Sequence, residues 1–350
     1  MDQILEWYGE DNYAESIRLA REFWSGQGRI MFSMNTSLGY YRQVFDDNEI
    51  ISRLPENLKV LSKLPGVNPP SFYPDFGTVS TAKYWGGDCH FDSTGGNIFI
   101  EPIAKNIQEA LSLTPLSVDD PEMDAAHALR LYRLLCEQLS SNRLWMRTPD
   151  FQGALNTAGL ILSQEELFVA MYSDPDAVHT FIDRVCSFLI DYVNYLKYET
   201  ENMLCGSIWP YTFIPSDTGM SFTEDLMPLF SSDTYREFGI PCLRKFAESF
   251  GSLHIHCCGN WGHHASNIAE AGLKIAAMEF HYPFTRIEEL TPLANKTVFI
   301  PFISVDCQYD FNDEIEYYRW LIENTDTNYR YWFVFGDDSP AYRQLIEDYS

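Results

Sequence analysis

The run Ser252-Leu253-His254-Ile255-His256-Cys257-Cys258-Gly259-Asn260 carries the densest chemistry in the chain, because an apolar segment ends there in imidazoles and thiols. Read as a strand, its side chains alternate between two faces. His254, His256 and Cys258 then share one face, and Ile255 and Cys257 the other. At ~3.3 Å per residue, His254 and Cys258 stand ~13 Å apart, too far for one ion, whereas His256 and Cys258 are ~6.6 Å apart and within reach of a common zinc. His254 is expected one layer deeper, as a packing or pocket-lining histidine. The competing reading is that His256 and Cys258 are only partly buried polar residues at a strand end. A catalytic zinc takes three protein ligands, so the end of another strand must supply the third. Glu279 and His281, Asp306 and Cys307, and Asp337 and Asp338 stand at such positions.

Weaker signals surround this run. Asp217, after an apolar strand and before Thr218-Gly219, could orient a substrate or simply cap a turn. Asp75, in Tyr73-Pro74-Asp75-Phe76-Gly77, could face a pocket or occupy a turn. His263 and His264 open a helix from which they could face the site, although solvent exposure is the favoured reading, and Cys136 and Cys186 read as packing thiols on apolar helical faces. His127 and His179 lie on helices without acidic partners at metal spacing, and no role is assigned to them.

Parallel strands would bring such positions together. Apolar or β-branched runs alternate with helical spacing, the pattern of βα units. Strands are expected at 29–34, 144–147, 203–209, 252–258, 274–281, 297–304 and 330–335, with weaker runs at 71–76 and 98–103. Helices are expected at 14–24, 48–64, 121–139, 175–198, 233–250 with a break near Pro241, 262–271, 286–294, 312–324 and from 340. About eight strands suit a single (β/α)8 TIM barrel spanning 1–350, with N-terminal helical and loop additions. The turn-rich stretch 66–101 would form one rim. No G-x-G-x-x-G or P-loop supports the open doubly wound alternative.

Composition narrows the partners. The chain has 350 residues, 45% hydrophobic and 15% aromatic, enough for a large core. Its 24 Lys and Arg against 50 Asp and Glu leave a formal charge of −26, which repels nucleic acid and anionic membranes. The N-terminus lacks a secretory pattern, and eight dispersed cysteines read as reduced thiols, so a cytoplasmic location is expected.

The pattern resembles the uroporphyrinogen decarboxylase superfamily from about Phe23 onward. The resemblance rests on Asp217-Thr218-Gly219, on Leu229 to Phe238 leading to Pro241, and most specifically on His256-Cys257-Cys258-Gly259-Asn260. It implies a barrel that holds its substrate at the C-terminal strand ends. The corrinoid-linked methyltransferase branch binds zinc through His-x-Cys and a later Cys. His256 and Cys258 fall on the first two ligands. Where the later Cys belongs, this chain has Phe335-Gly336-Asp337-Asp338, so Asp337, Cys307 or Glu279 would have to serve. The reading implied is zinc-assisted methyl transfer between a corrinoid carrier, supplied by a partner protein, and a small-molecule thiol, with Asp217 catalytic and Asp75, His254, Glu279 and His281 lining the pocket. One alternative is decarboxylation of an acid less charged than uroporphyrinogen, whose eight carboxylates call for more arginine than Gly28 to Thr36 contains. Another is a non-catalytic tetrapyrrole-binding barrel.

Overall fold

The computed structural model describes residues 1–34, 40–42, 47–91, 98–208, 212–304 and 310–349, with residues 40–42, 207 and 208 described by backbone only. In chain order the strands are β1 (Ile30–Met34), β2 (Tyr40–Arg42), β3 (Ser71–Asp75), β4 (Cys89–Phe91), β5 (Ile98–Ile100), β6 (Trp145–Arg147), β7 (Leu204–Ile208), β8 (Thr212–Pro215), β9 (Met220–Thr223), β10 (Leu253–His256), β11 (Ile275–Tyr282), β12 (Val298–Ile303) and β13 (Arg330–Phe335).

Six of them form a parallel sheet in the order β1-β13-β12-β11-β10-β9. A second sheet runs β2-β3-β6-β7-β8, parallel except for the β7–β8 hairpin. One isolated parallel bridge, Gln152 to Thr223, ties the end of β9 to the loop after β6. The expected mixed α/β architecture is present, but among the described residues the ladder forms two arcs and is not one closed ring. Several strands differ from expectation, and the short β2 and β4 were not foreseen at all. Ile98–Ile100 pairs antiparallel with β4 as a separate ribbon, and β9, overlooked in the sequence, takes a place beside β10.

Alternation along the strands sorts the core into two parts. Ala277, Val298, Ile300, Trp332 and Val334 point to one side, where Phe23 and Trp24 of the helix Glu10–Trp24 meet them. Trp24 stacks on Trp332 at 5.0 Å and donates its indole N–H to the Phe213 carbonyl. Truncating a buried ring such as Trp332 to alanine would cost about 3–5 kcal/mol. The opposite faces carry Ile255, Cys257, Met278, Phe280, Phe299 and Phe333, which pack under the surrounding helices.

The helices follow their apolar periodicity. Asp124–Leu139 and Pro175–Glu199 cover the long amphipathic stretches. The break expected near Pro241 is a π turn over Tyr235–Gly239, after which Ile240–Phe250 resumes as α-helix with Pro241 in its first turn, where its missing N–H is tolerated. No described helix is long and apolar enough to cross a membrane.

Candidate metal centre

β10 presents His254 and His256 to the interior in two layers. His254 is fully buried, with its ring edge-on to Trp24 at 4.9 Å. Burial pushes its pKa down to about 3, so the ring is neutral. It packs below the strand tip, two residues from His256.

His256 sits at that tip and is faced from both sides. On one side its Nε2 lies 3.6 Å from Asp225 Oδ1, and the same oxygen accepts hydrogen bonds from the Cys258 backbone N–H and Sγ–H, each at 3.2 Å. Asp225, His256 and Cys258 therefore offer an oxygen, a nitrogen and a sulfur within 4.8 Å of one another. Cys258 is exposed, while Cys257 is buried on the opposite side of the strand in the outer core, as alternation requires. On the other side, His256 Nδ1 lies 2.9 Å from Glu279 Oε2, and Glu279 Oε1 lies 2.6 Å from His281 Nε2. The register explains the meeting. His254 pairs with Ala277 and Ile255 with Met278, which brings Glu279 beside His256.

The electrostatics are tightly linked. Burial alone would lower the His256 pKa, but the Glu279 charge, with help from Cys258 and Asp225, holds it well above the ordinary imidazole value. Burial works against the Glu279 carboxylate as well, yet the two facing imidazoles keep its pKa below the usual range. Asp150, beyond the end of β6, is pushed up to about 6, first by burial and then by Asp75. Glu224, buried behind β9, is pushed up to about 8 by burial and by the neighbouring Asp225 charge.

The remaining expected residues scatter. Asp75 ends β3, accepts a hydrogen bond from the Gly77 N–H at 2.7 Å, and lies close enough to Asp150 to perturb it. Asp217 lies at the other end of the sheet from His256, because the β7–β8 hairpin returns the chain to the start of β7; there it pairs with Arg21 at 3.0 Å. Asp337 is exposed and accepts from the Ser339 N–H, in neither group of clustered ligands. Cys307 lies outside the described residues. His264 is not solvent-exposed as expected: it is buried, bonded through Nε2 to the Met227 carbonyl at 2.9 Å, and lowered to about 4 by burial. His263 is exposed. His127 does find an acidic partner, Asp47 from another helix, at 2.9 Å.

Sequence reasoning missed Asp225. Its signal was the alternation in Met220-Ser221-Phe222-Thr223 ending in Glu224-Asp225, a short strand followed by acid.

No protein-family model matches the sequence, and no curated protein matches it. Among solved structures, a methyltransferase from Methanosarcina mazei superposes with a TM-score of 0.66 at 12% identity, over 96% of this chain and 99% of its own. The two share a fold. A putative vitamin-B12 independent methionine synthase from Listeria monocytogenes overlaps more loosely, with a TM-score of 0.43 at 12% identity over 95% of this chain and 90% of its own. That overlap is too loose to bear on fold or function.

Proposed function

We propose that this protein is a zinc-dependent methyltransferase that moves a methyl group from a corrinoid, carried by a partner protein, to a small-molecule thiol. The observation that carries the reading is the convergence of Asp225 Oδ1, His256 Nε2 and Cys258 Sγ at a strand tip. The full-length fold likeness to a methyltransferase supports it.

The donor set suits the metal. One sulfur, one imidazole nitrogen and one carboxylate oxygen make a mixed set that zinc accepts, with a fourth position left for a ligand. Asp225 would take the role expected of a later cysteine, since it stands beside Cys258 and Asp337 does not. Zinc held there would supply the means to keep an incoming thiol as a nucleophilic thiolate at neutral pH.

The chain's own residues prepare the place. Cys258 is exposed, so a thiol arriving from solvent can reach the tip. Asp225 anchors the Cys258 backbone and sulfur through one oxygen. Glu279, fully buried, grips the far side of His256 and turns Nε2 toward Asp225. The carboxylates of Asp75, Asp150 and Asp225 near this end make it a poor host for a polyanion, which weighs against decarboxylation of a multiply carboxylated tetrapyrrole.

The test combines metal content with turnover. Purified full-length protein should hold stoichiometric zinc and demethylate a methylcorrinoid protein in the presence of a thiol, and Cys258→Ser should abolish both. Protein that neither retains added zinc nor alkylates any of a panel of thiols would overturn the reading.

A further inference from the structure

We propose a second cation position in this protein, formed by His256 Nδ1, the Glu279 carboxylate and His281 Nε2, and joined to the Asp225–His256–Cys258 group through the single imidazole of His256.

Three observations lead there. First, the ligand atoms of His256, Glu279 and His281 lie within 4.8 Å of one another, and Glu279 is completely buried. Secondly, His256 Nδ1, both Glu279 oxygens and His281 Nε2 are all shielded from solvent and face one another at 2.9 and 2.6 Å, with no hydrogen-bond partner from outside the trio. Closed off from water, these groups have only one another to offset the cost of burying their charge and polarity. One divalent ion among them satisfies all four together. Thirdly, His256 directs its two nitrogens to different groups, Nε2 toward Asp225 and Nδ1 toward Glu279. A ring placed in this way can serve two ions at once.

Charge and donor type agree. Asp225, Glu279, a Cys258 thiolate and a bridging His256 imidazolate carry negative charge equal to the positive charge of two divalent ions. The second position offers two imidazole nitrogens and a carboxylate, a set suited to a first-row divalent ion such as zinc or cobalt(II), and unlike the all-oxygen sites of calcium or magnesium. Its ligands come from adjacent parallel strands, β10 and β11, whose inward residues the register holds side by side. This position depends on no assumption about methyl transfer.

Cobalt(II) separates the two positions, because only an ion bound to Cys258 gives thiolate-to-metal charge-transfer absorption. Metal-free full-length protein titrated with Co²⁺ should bind two equivalents, one with that absorption and one with ligand-field bands alone. His281→Gln should lower the stoichiometry to one and leave the charge-transfer band in place. Cys258→Ser should remove the band and leave the His281-dependent ion. Anomalous scattering from crystals of cobalt-loaded wild-type protein should show two peaks, one on each side of the His256 ring, a readout that needs no variant to fold. Saturation at one equivalent that carries the charge-transfer band, a single peak on the Cys258 side of the ring, or a stoichiometry indifferent to His281→Gln would overturn the second position. A His281-dependent ion without any thiolate band would instead sink the methyltransferase reading and leave this one standing.

Discussion

Asp225 and Cys258 come from neighbouring strand ends 33 residues apart in sequence, and Asp225 Oδ1 accepts both the backbone N–H and the Sγ–H of Cys258. A carboxylate so placed is bound to the same peptide that carries the thiol, and the two groups shift together. Asp225→Asn should therefore weaken zinc binding by roughly tenfold or more, while Asp337→Asn leaves it unchanged. Competition against a chromophoric chelator measures both.

Cys258 is exposed, whereas the other described cysteines are buried or half-buried. Alkylation by iodoacetamide should modify Cys258 first, and saturating zinc should protect it. Cys257→Ser should leave zinc affinity within about twofold, because that thiol faces the outer core. Equal loss of zinc in both cysteine variants would show that the strand tip is turned the other way.

The buried His264 gives the fold an acid-sensitive point. Its folded pKa, about 4, lies below the unfolded value of 6.5, so its contribution is fully present above pH 6.5 and is lost as the pH falls toward 4. The loss amounts to about 1.4 kcal/mol per pH unit across that window. In urea melts at pH 4.5 and 7, His264→Gln should show a smaller difference in stability than the wild type.

Gly219 supports the start of the strand that leads to Asp225. Its φ of +135° lies where side chains are rarely accommodated, and an added Cβ would sit 2.3 Å from the Ser252 carbonyl oxygen. Gly219→Ala should cost roughly 1–3 kcal/mol and shift β9 against β10, lowering zinc affinity as well. Thermal melting and metal titration of the same variant test both.

Much of this arrangement is legible in the sequence. Two-residue periodicity puts His256 and Cys258 on one face, and the one strand that carries both Glu279 and His281 is read to within a residue. What periodicity could not show was which strand lies beside which. Asp225 became a neighbour of Cys258 only because β9 slots against β10, a pairing decided by long-range ladder bonds. Asp217 misled for the complementary reason. An antiparallel hairpin, invisible in an apolar run, sends it to the far end. Partners such as Asp47 for His127 likewise come from a different helix, beyond any local spacing rule.

The Trp24–Trp332 stack stoppers the interior below His254. A reactant reaching the strand tips cannot leave by that route, so in the proposed reaction carrier and acceptor would both arrive over the tips. Because the methyl group would pass directly from carrier to thiol, both would have to be present at once, and the smaller thiol would need to be seated before the bulky carrier covers the way in.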